Sequence, residues 1–543
     1  MTNQDLPGRK TDDALPALIC ALRDAECFDH PTETITVLQT HISYVLLTGS
    51  YAYKIKKPVS LPFLDFSTLE FRKHYCHEEL RINRRLAPEL YLDVVPITGT
   101  PQAPRVNGEG KAIEYAVKMI QFPDADRLDR VADRRELRDE QVAALASKIA
   151  TFHDSVAVAD YATPFADSES LRGEVMGNFE SLSAQVLAEN TASLLADIRS
   201  WSAHSLVDLG PQFRARKKKG KVRECHGDMH LANMALLNEQ ITIFDALEFN
   251  ENFRWVDVQS ELAFLAMDLD YRGLPGLGWL LVSAYLERTG DYVGLRVLRH
   301  YKVYRAMVRA KVAGLRSSQC ADGTPEHREA VAELVSHIEL AHAYLQKDGR
   351  GPLIITHGLS GSGKSWLSQR LLQVLRAVRV RSDVERQRLV QIGELDAQRL
   401  YSSTGINRTY EALAARARMI VECGYPAIVD ATFLKRHHRL RFLELAREIG
   451  VPFVILSLHG RAGILEARIA ERQAQASDAS EAGVDVLRRQ RQDMEELTRE
   501  ESALTMVLDS EAEPDLKALA QTILRGPPAP WMRRLDGGID DEH

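Results

Sequence analysis

Between residues 35 and 57, apolar and polar positions alternate in ITVLQT, SYVLLTG and YAYKIKK, with short polar turns between them. A period of two with turn punctuation predicts three consecutive antiparallel strands. A helical pattern follows, opened by the cap-forming Ser67 and Thr68, running through FRKHYCHEELRINRRL and stopped before Pro88. YLDVVPI and IEYAVKMI predict two more strands, giving five strands with one helix inserted after the third. Residues from about 135 to 215 read as mainly helical. CHGDMHLANMALLNEQITIFDALEF then reads as a turn and two short apolar strands around a polar Asn-Glu turn. Helical patterning resumes and ends near residue 346, where KDGRGP predicts a linker at 347–350. Beyond it LIITHG, VRVRSD, PAIVDA, FVILSL and LTMVLD are short apolar runs separated by helical patterns, which predicts a five-stranded parallel sheet with crossover helices over 351–525. The tail, 526–543, has too few apolar residues to pack and is expected to be disordered.

A length of 543 residues calls for at least two folding units. Hydrophobic residues at 45% and charged residues at 27% suit a globular enzyme and exclude a largely disordered chain. A net charge of -7 leaves no overall basic surface, so nucleic acid would need a local patch and small molecules are the expected partners. The six cysteines are scattered without a C-x-x-C pair, which suits reduced thiols and not a zinc site. The N-terminus has no apolar signal core, and LPGLGWLLVSAYL is too short and glycine-broken to cross a bilayer, so a cytoplasmic protein is expected.

GLSGSGKS, Gly358 to Ser365, directly follows the strand LIITH and opens a helix, the setting a phosphate-binding loop requires. Gly358, Gly361 and Gly363 let the backbone curl around Ser360 and Ser362 so that amides face phosphate oxygens. Lys364 is placed to reach the β- and γ-phosphates of ATP, and the Ser365 hydroxyl to ligate Mg²⁺. Asp383 is expected to end the strand VRVRSD, and Asp430 to end PAIVDA. Ligands of parallel sheets sit outside these strand ends, so one carboxylate can hold the metal shell while the other takes a proton from an attacking hydroxyl. Arg468 and Arg472, four apart on ILEARIAERQ, share a helix face that can close over the phosphates. Arg386 and Arg439 are further candidates for gripping an anionic acceptor.

Upstream, HGDMHLAN has the spacing H-x-D-x-x-x-x-N, and Asp245 follows Asn233 at the end of ITIFD. In this pattern Asp228 orients or takes the acceptor proton, while Asn233 and Asp245 ligate metal ions bridging the phosphates. Glu248 is a candidate extension of that shell. On the third strand Lys54 and Lys56 point to one face, and either can be the phosphate-gripping lysine. AYK favours Lys54, with Glu79 on the next helix as its pairing carboxylate. The basic run RARKKKGKVRE reads as a solvated loop, and Lys302, Arg305 and Arg309 as one face of a helix open to an anion.

AYK, EELRINRRL, VKMIQFPDADRLD, IATFHD, HGDMHLAN and IFDALEF together resemble the aminoglycoside phosphotransferase and choline-kinase-like superfamily over about residues 30–320. The resemblance implies a protein-kinase-like, two-lobed α+β domain over 1–346 with adenine against a hinge near Met119, Gln121 and Phe122. It departs from protein kinases in lacking a G-x-G-x-x-G loop and in having FDALE where DFG stands. The second region, 351–525, resembles small-molecule P-loop kinases of the gluconate kinase and zeta-toxin-like group, which implies Asp383 as the acceptor-side base. The order of the two resembles a bacterial group of fusion proteins joining an aminoglycoside-phosphotransferase-like domain to an ATP-binding domain of the AAA family. The fold class is therefore α/β multidomain. The expected activity is that of a bifunctional, MgATP-dependent kinase acting on hydroxyl groups of small molecules. A polynucleotide or nucleoside kinase and a non-catalytic ATP-binding regulator are the alternatives.

Overall fold

The computed structural model describes residues 14–61, 64–183, 188–346, 351–475 and 484–526. These form two compact units: one within Met1–Gln141, Thr151–Ala184 and Ser202–Asp268, the other within Val142–Ala150, Gln185–Trp201 and Leu269–His543. The expected linker at 347–350 and all of the expected tail beyond Gly526 lie outside the described residues.

In the first unit the sheet is antiparallel and six-stranded, in the order Thr36–Gln39, Ser43–Leu47, Tyr51–Lys56, Ala112–Ile120, Tyr91–Thr100, Ala103–Val106. The sixth strand, APRV, escapes a periodicity reading because it is short and carries Pro104, which an edge position tolerates. Gly99 makes its hairpin possible: φ is +90°, and a Cβ there would stand 2.4 Å from the Ala103 carbonyl oxygen.

The sheet carries a core on each face, so strand alternation sorts two kinds of core. Tyr53 and Ile55 join Leu46, Val95, Ile97 and Ala116 against Leu15, Leu18 and Leu22 of the N-terminal segment. Lys54 and Lys56 point the other way, toward the helix Leu69–Asn83, whose Cys76 and Leu80 pack with Tyr91 and Val117. Thr68 caps this helix by accepting from the Phe71 amide at 3.2 Å. The helix ends at Asn83, short of the expected Leu86, and Asn83 uses its side chain on the backbone of Glu79 and Ala246.

Further along, Met234–Leu237 and Gln240–Ile243 pair around Asn238 and Glu239, both at positive φ as a tight hairpin turn demands. The basic run is not a solvated loop. Gly210–Lys218 is helical, Arg216 makes a buried two-pronged bond to Asp257 at 2.6 and 2.8 Å, and Lys217 donates to the Thr163 carbonyl.

The second unit holds the helices Pro275–Thr289, Leu295–Gln319 and Pro325–Ala343 together with a parallel sheet. Its strand order is Val378–Arg381, Ala427–Asp430, Leu353–His357, Phe453–His459, Thr505–Asp509. All five expected strands are present. The first in sequence is central, so the chain leaves it to opposite sides and opens a crevice above its carboxyl end.

Three expectations about charged residues are corrected here. Asp383 does not end a strand; the strand stops at Arg381 and Asp383 lies in the first turn of the helix Ser382–Gln391. Lys302 is paired with Asp270 at 2.6 Å, Arg309 with Glu333 at 2.9 Å, and Arg305 is buried, so that helix face is not open to an anion. Arg439 is fully buried, reaches Glu501 at 2.7 and 3.2 Å, and donates to the carbonyls of Phe433, Leu434, Glu495 and Glu496. A guanidinium so saturated ties segments together and has nothing left for an acceptor. No helix among the described residues is long and apolar enough to cross a membrane.

Arg439→Ala strands the buried Glu501 carboxylate, and we expect the second unit to lose about 3–5 kcal/mol in urea unfolding. A loss below about 1 kcal/mol, the range of surface ion pairs, would contradict this assignment.

Candidate functional site

In the first unit, Glu79 is the meeting point of both strand lysines. Its Oε1 lies 2.8 Å from Lys54 Nζ and its Oε2 lies 2.8 Å from Lys56 Nζ. Lys54 also reaches Asp245 Oδ1 at 2.6 Å, whereas Lys56 pairs with Glu248. Exposure separates the lysines: Lys56 is 0% exposed, while Lys54 is 13% exposed beside an Asp245 that is 44% exposed. Lys54 therefore borders solvent with the metal-candidate aspartate, and Lys56 is an internal counter-ion. The Glu248 carboxylate is buried and paired with Lys56, whereas Asp245 pairs with Lys54 and is partly exposed.

The charges hold one another. Burial alone would raise the Glu79 carboxyl, but Lys54 and Lys56 overcome it and bring it down to about 2. Burial opposes charge on Lys54, yet Asp245 and Glu79 push it well above the ordinary lysine range.

The HGD turn is braced from below by a residue outside the motif. Glu261 Oε1 accepts from the amides of His226 and Gly227 at 2.8 and 2.7 Å, and its Oε2 meets His153 Nε2 at 2.8 Å. His226 Nε2 lies 2.9 Å from the Phe244 carbonyl oxygen, and burial lowers its pKa, so it acts as a neutral strut. Gly227 sits at φ +89°, and a Cβ would come 2.6 Å from the Phe253 carbonyl oxygen, which forces glycine. Asn233 Nδ2 donates to Asp228 Oδ2 at 2.9 Å and to the Asp228 carbonyl at 3.0 Å. Asp245 occupies a left-handed conformation, φ +63°, uncommon for a non-glycine residue. It is fixed there because its amide donates to Tyr91 Oη at 3.1 Å and the next amide donates to Asn83 Oδ1 at 2.8 Å.

His153, Cys225 and Glu261 place donor atoms within 4.8 Å of one another, but the Glu261 oxygens already serve the turn and His153. At the hinge, Gln121 Oε1 accepts from the Gly49 amide at 2.8 Å, tying it to the turn between two strands. Met119 packs against the core that holds Tyr91 and Val117, and the Phe122 and Phe244 rings are 5.3 Å apart. The structure thus brings Lys54, Glu79, Asp228, Asn233 and Asp245 into one connected framework of strand, helix and loop. Glu261 and Tyr91 had no motif to announce them, and His153 and Asn83 stand within IATFHD and EELRINRRL with no role read from the sequence, since each acts on backbone or on another side chain from a remote position.

In the second unit Gly358, Gly361 and Gly363 have φ of +140°, +82° and +84°. A Cβ at Gly358 or Gly361 would lie 2.6 Å from the carbonyl oxygens of Leu458 and Leu465. The loop's curl thus depends on glycine. Lys364 Nζ donates to the Leu359 carbonyl at 2.6 Å, folding back over the loop, and the Ser360 amide donates to Gln490 Oε1 at 2.8 Å. Asp430 Oδ2 accepts from Ser368 Oγ at 3.1 Å, on the same helix as Ser365. Asp383 pairs with Arg386 at 3.0 Å, and that guanidinium lies 4.9 Å over the Tyr401 ring. Arg468 donates to the Ser510 carbonyl at 2.8 Å; the side chain of Arg472 lies outside the described residues.

Both sites offer oxygen donors to a cation: the Asn233 amide and Asp245 carboxylate in one, the Ser365 hydroxyl and Asp430 carboxylate in the other. Such a set fits a hard divalent ion, not a soft one.

Residues 353–497 match the family described as an AAA domain. The chain is also 28% identical over 470 residues to an uncharacterized protein of Mycobacterium tuberculosis strain H37Rv, covering 84% of this chain and 91% of that one. Among solved structures, a choline/ethanolamine kinase family protein from Mesorhizobium loti is similar over 60% of this chain and 99% of its own, at 13% identity and a TM-score of 0.35. A sugar kinase from Janibacter sp. is similar over 33% of this chain and 98% of its own, at 20% identity and a TM-score of 0.25.

The depressed Glu79 carboxyl sets a pH window. Its folded pKa lies below the ordinary 4.5, so its stabilisation is full above pH 4.5 and is lost as pH falls toward about 2. The stability difference between wild type and Glu79→Gln, measured by denaturant unfolding, should be constant above pH 4.5 and shrink below it. A difference that persists undiminished at pH 2.5 would refute the paired-carboxylate reading.

Proposed function

We propose that the chain is an ATP-dependent phosphotransferase with two sites, each moving the γ-phosphate of ATP to a hydroxyl group of a small molecule in the cytoplasm. The observation that carries the reading is the Lys54 ammonium held between Glu79 and Asp245, with an Asp228–Asn233 pair tied to the same loop through the Phe244 amide and the Asn233 carbonyl. A fixed cation, an aspartate for the acceptor proton and two oxygen ligands are the parts this chemistry requires.

In the first site, Lys54 grips phosphate oxygens while Glu79 holds it in place. Asp228, braced by the Asn233 amide, takes the place beside the acceptor hydroxyl. As the acceptor oxygen bonds to the γ-phosphorus and the bond to the β-phosphate oxygen breaks, Asp228 takes the hydroxyl proton and ADP leaves. Asn233 and Asp245 hold Mg²⁺, which when bound screens the phosphate charges. Met119 and Phe122 supply the apolar wall for adenine.

In the second site the loop amides of residues 360–365 cradle phosphates, and Lys364 turns from the Leu359 carbonyl to the β- and γ-oxygens. Ser365 and Asp430 hold the metal, Asp383 serves the acceptor hydroxyl, and Arg386 and Arg468 neutralise charge. A polynucleotide acceptor is disfavoured because two cations of the basic run, Arg216 and Lys217, are buried and engaged.

With γ-labelled ATP, Mg²⁺ and a fractionated small-molecule extract, Asp228→Asn should lower one labelled product by roughly 10²–10⁴-fold. Lys364→Ala should remove a different one. Labelling unchanged in both variants, with ATP still bound, would leave a nucleotide-binding regulator in place of a kinase.

A further inference from the structure

Arg379 lies on the edge strand Val378–Arg381, outside every phosphate-binding motif, yet it is 7% exposed and fully engaged. Its Nη1 donates to the Ser365 carbonyl at 3.2 Å and to Ser368 Oγ at 3.4 Å. Ser368 Oγ in turn lies 3.1 Å from Asp430 Oδ2. One guanidinium thus touches the backbone of one metal-candidate residue and, through a single hydroxyl, the carboxylate of the other. Its own charge is met by Glu287, 3.0 Å from Nε, and its amide donates to Ser283 Oγ at 3.0 Å.

Ser283 and Glu287 belong to the helix Pro275–Thr289, far upstream of the loop in sequence but in the same compact unit. Arg388, on the helix that carries Asp383, donates to the Glu287 carbonyl. At Gly276 a Cβ would come 3.2 Å from Gln373 Cβ, so the helix sits directly on the helix that opens at Lys364.

We infer that Glu287 and Arg379 are positioning residues of the P-loop site: they hold Ser365 and Asp430 in the spacing a divalent cation needs, an inference that rests on the P-loop reading proposed above. A buried cation with one carboxylate partner cannot drift without stranding a charge, so its contacts to Ser365 and Ser368 are fixed by Glu287. The phosphate loop therefore depends for its metal geometry on a helix that precedes it by some seventy residues, and the unit that works is larger than the stretch carrying the motif.

The test uses the full chain carrying Asp245→Asn, which silences metal support in the first site, and follows binding of a fluorescent N-methylanthraniloyl ATP as Mg²⁺ is titrated. Glu287→Gln and Arg379→Met should each raise the half-saturating Mg²⁺ roughly 10-fold, the usual cost of losing an outer support of a metal ligand, with metal-free nucleotide binding unchanged. Ser368→Ala, which removes a hydroxyl and no charge, should shift the curve in the same direction and guards against a charge variant that does not fold. Magnesium curves that superimpose on the parent, for the folded charge variants or for Ser368→Ala, would overturn the inference even if the melting temperature falls. Lys364→Ala in the same background should abolish the signal; retained, Mg²⁺-dependent binding there would overturn the P-loop reading itself and the brace with it.

Discussion

Two lysines separated by one residue on a pleated strand must lie on the same face, and here that face is covered by a helix. Burying two ammonium groups side by side is unfavourable unless anions meet them, and the helix supplies only Glu79. The deficit is made up from the segment after Ile243: Asp245 comes to Lys54 and Glu248 to Lys56. Strand, helix and loop are thereby locked to one another by ion pairs, not by packing alone. The same network gives the two lysines different work, because only the Lys54 pair opens to solvent.

Such a network positions the loop but does not shape it. Shape comes from backbone conformations that cost free energy locally and are held by neighbours. Asp245 at φ +63° is kept by Tyr91 and Asn83, and Gly227 at φ +89° by two amide bonds to Glu261. The P-loop uses the opposite strategy, placing glycine at each left-handed position so that no side chain has to be accommodated. One site is made rigid by a surrounding shell of polar side chains and the other by composition. This explains why the second is far more visible in the sequence.

The sequence pattern disclosed every strand of the parallel sheet, the cap at Thr68, the Asn-Glu hairpin and the juxtaposition of Lys54 with Glu79. All of these rest on local periodicity or on a short motif. What it missed has a common physical origin. Arg439, Arg309 and Lys302 carry charges that look available in one dimension and are neutralised by Glu501, Glu333 and Asp270 in three. Glu248 shows the same blindness: position near a metal aspartate does not reveal its pairing with a buried lysine. Asp383 shifted from strand to helix because Ser382 and Asp383 suit a first helical turn as well as a strand end. Glu261 was invisible because accepting from two backbone amides leaves no residue pattern to match.

Charge compensation also ties the helix Pro275–Thr289 to the parallel sheet within one compact unit. Arg379 is buried in the sheet of the second unit and finds its carboxylate on the helix Pro275–Thr289. Tyr425 finds the Trp279 ring of the same helix at 5.0 Å. Separating that helix from the sheet would expose an aromatic pair and leave a guanidinium without its anion, so the two fold as one body. A motif marks where phosphate is held; the extent of the structure that holds it is set by the buried charges around it.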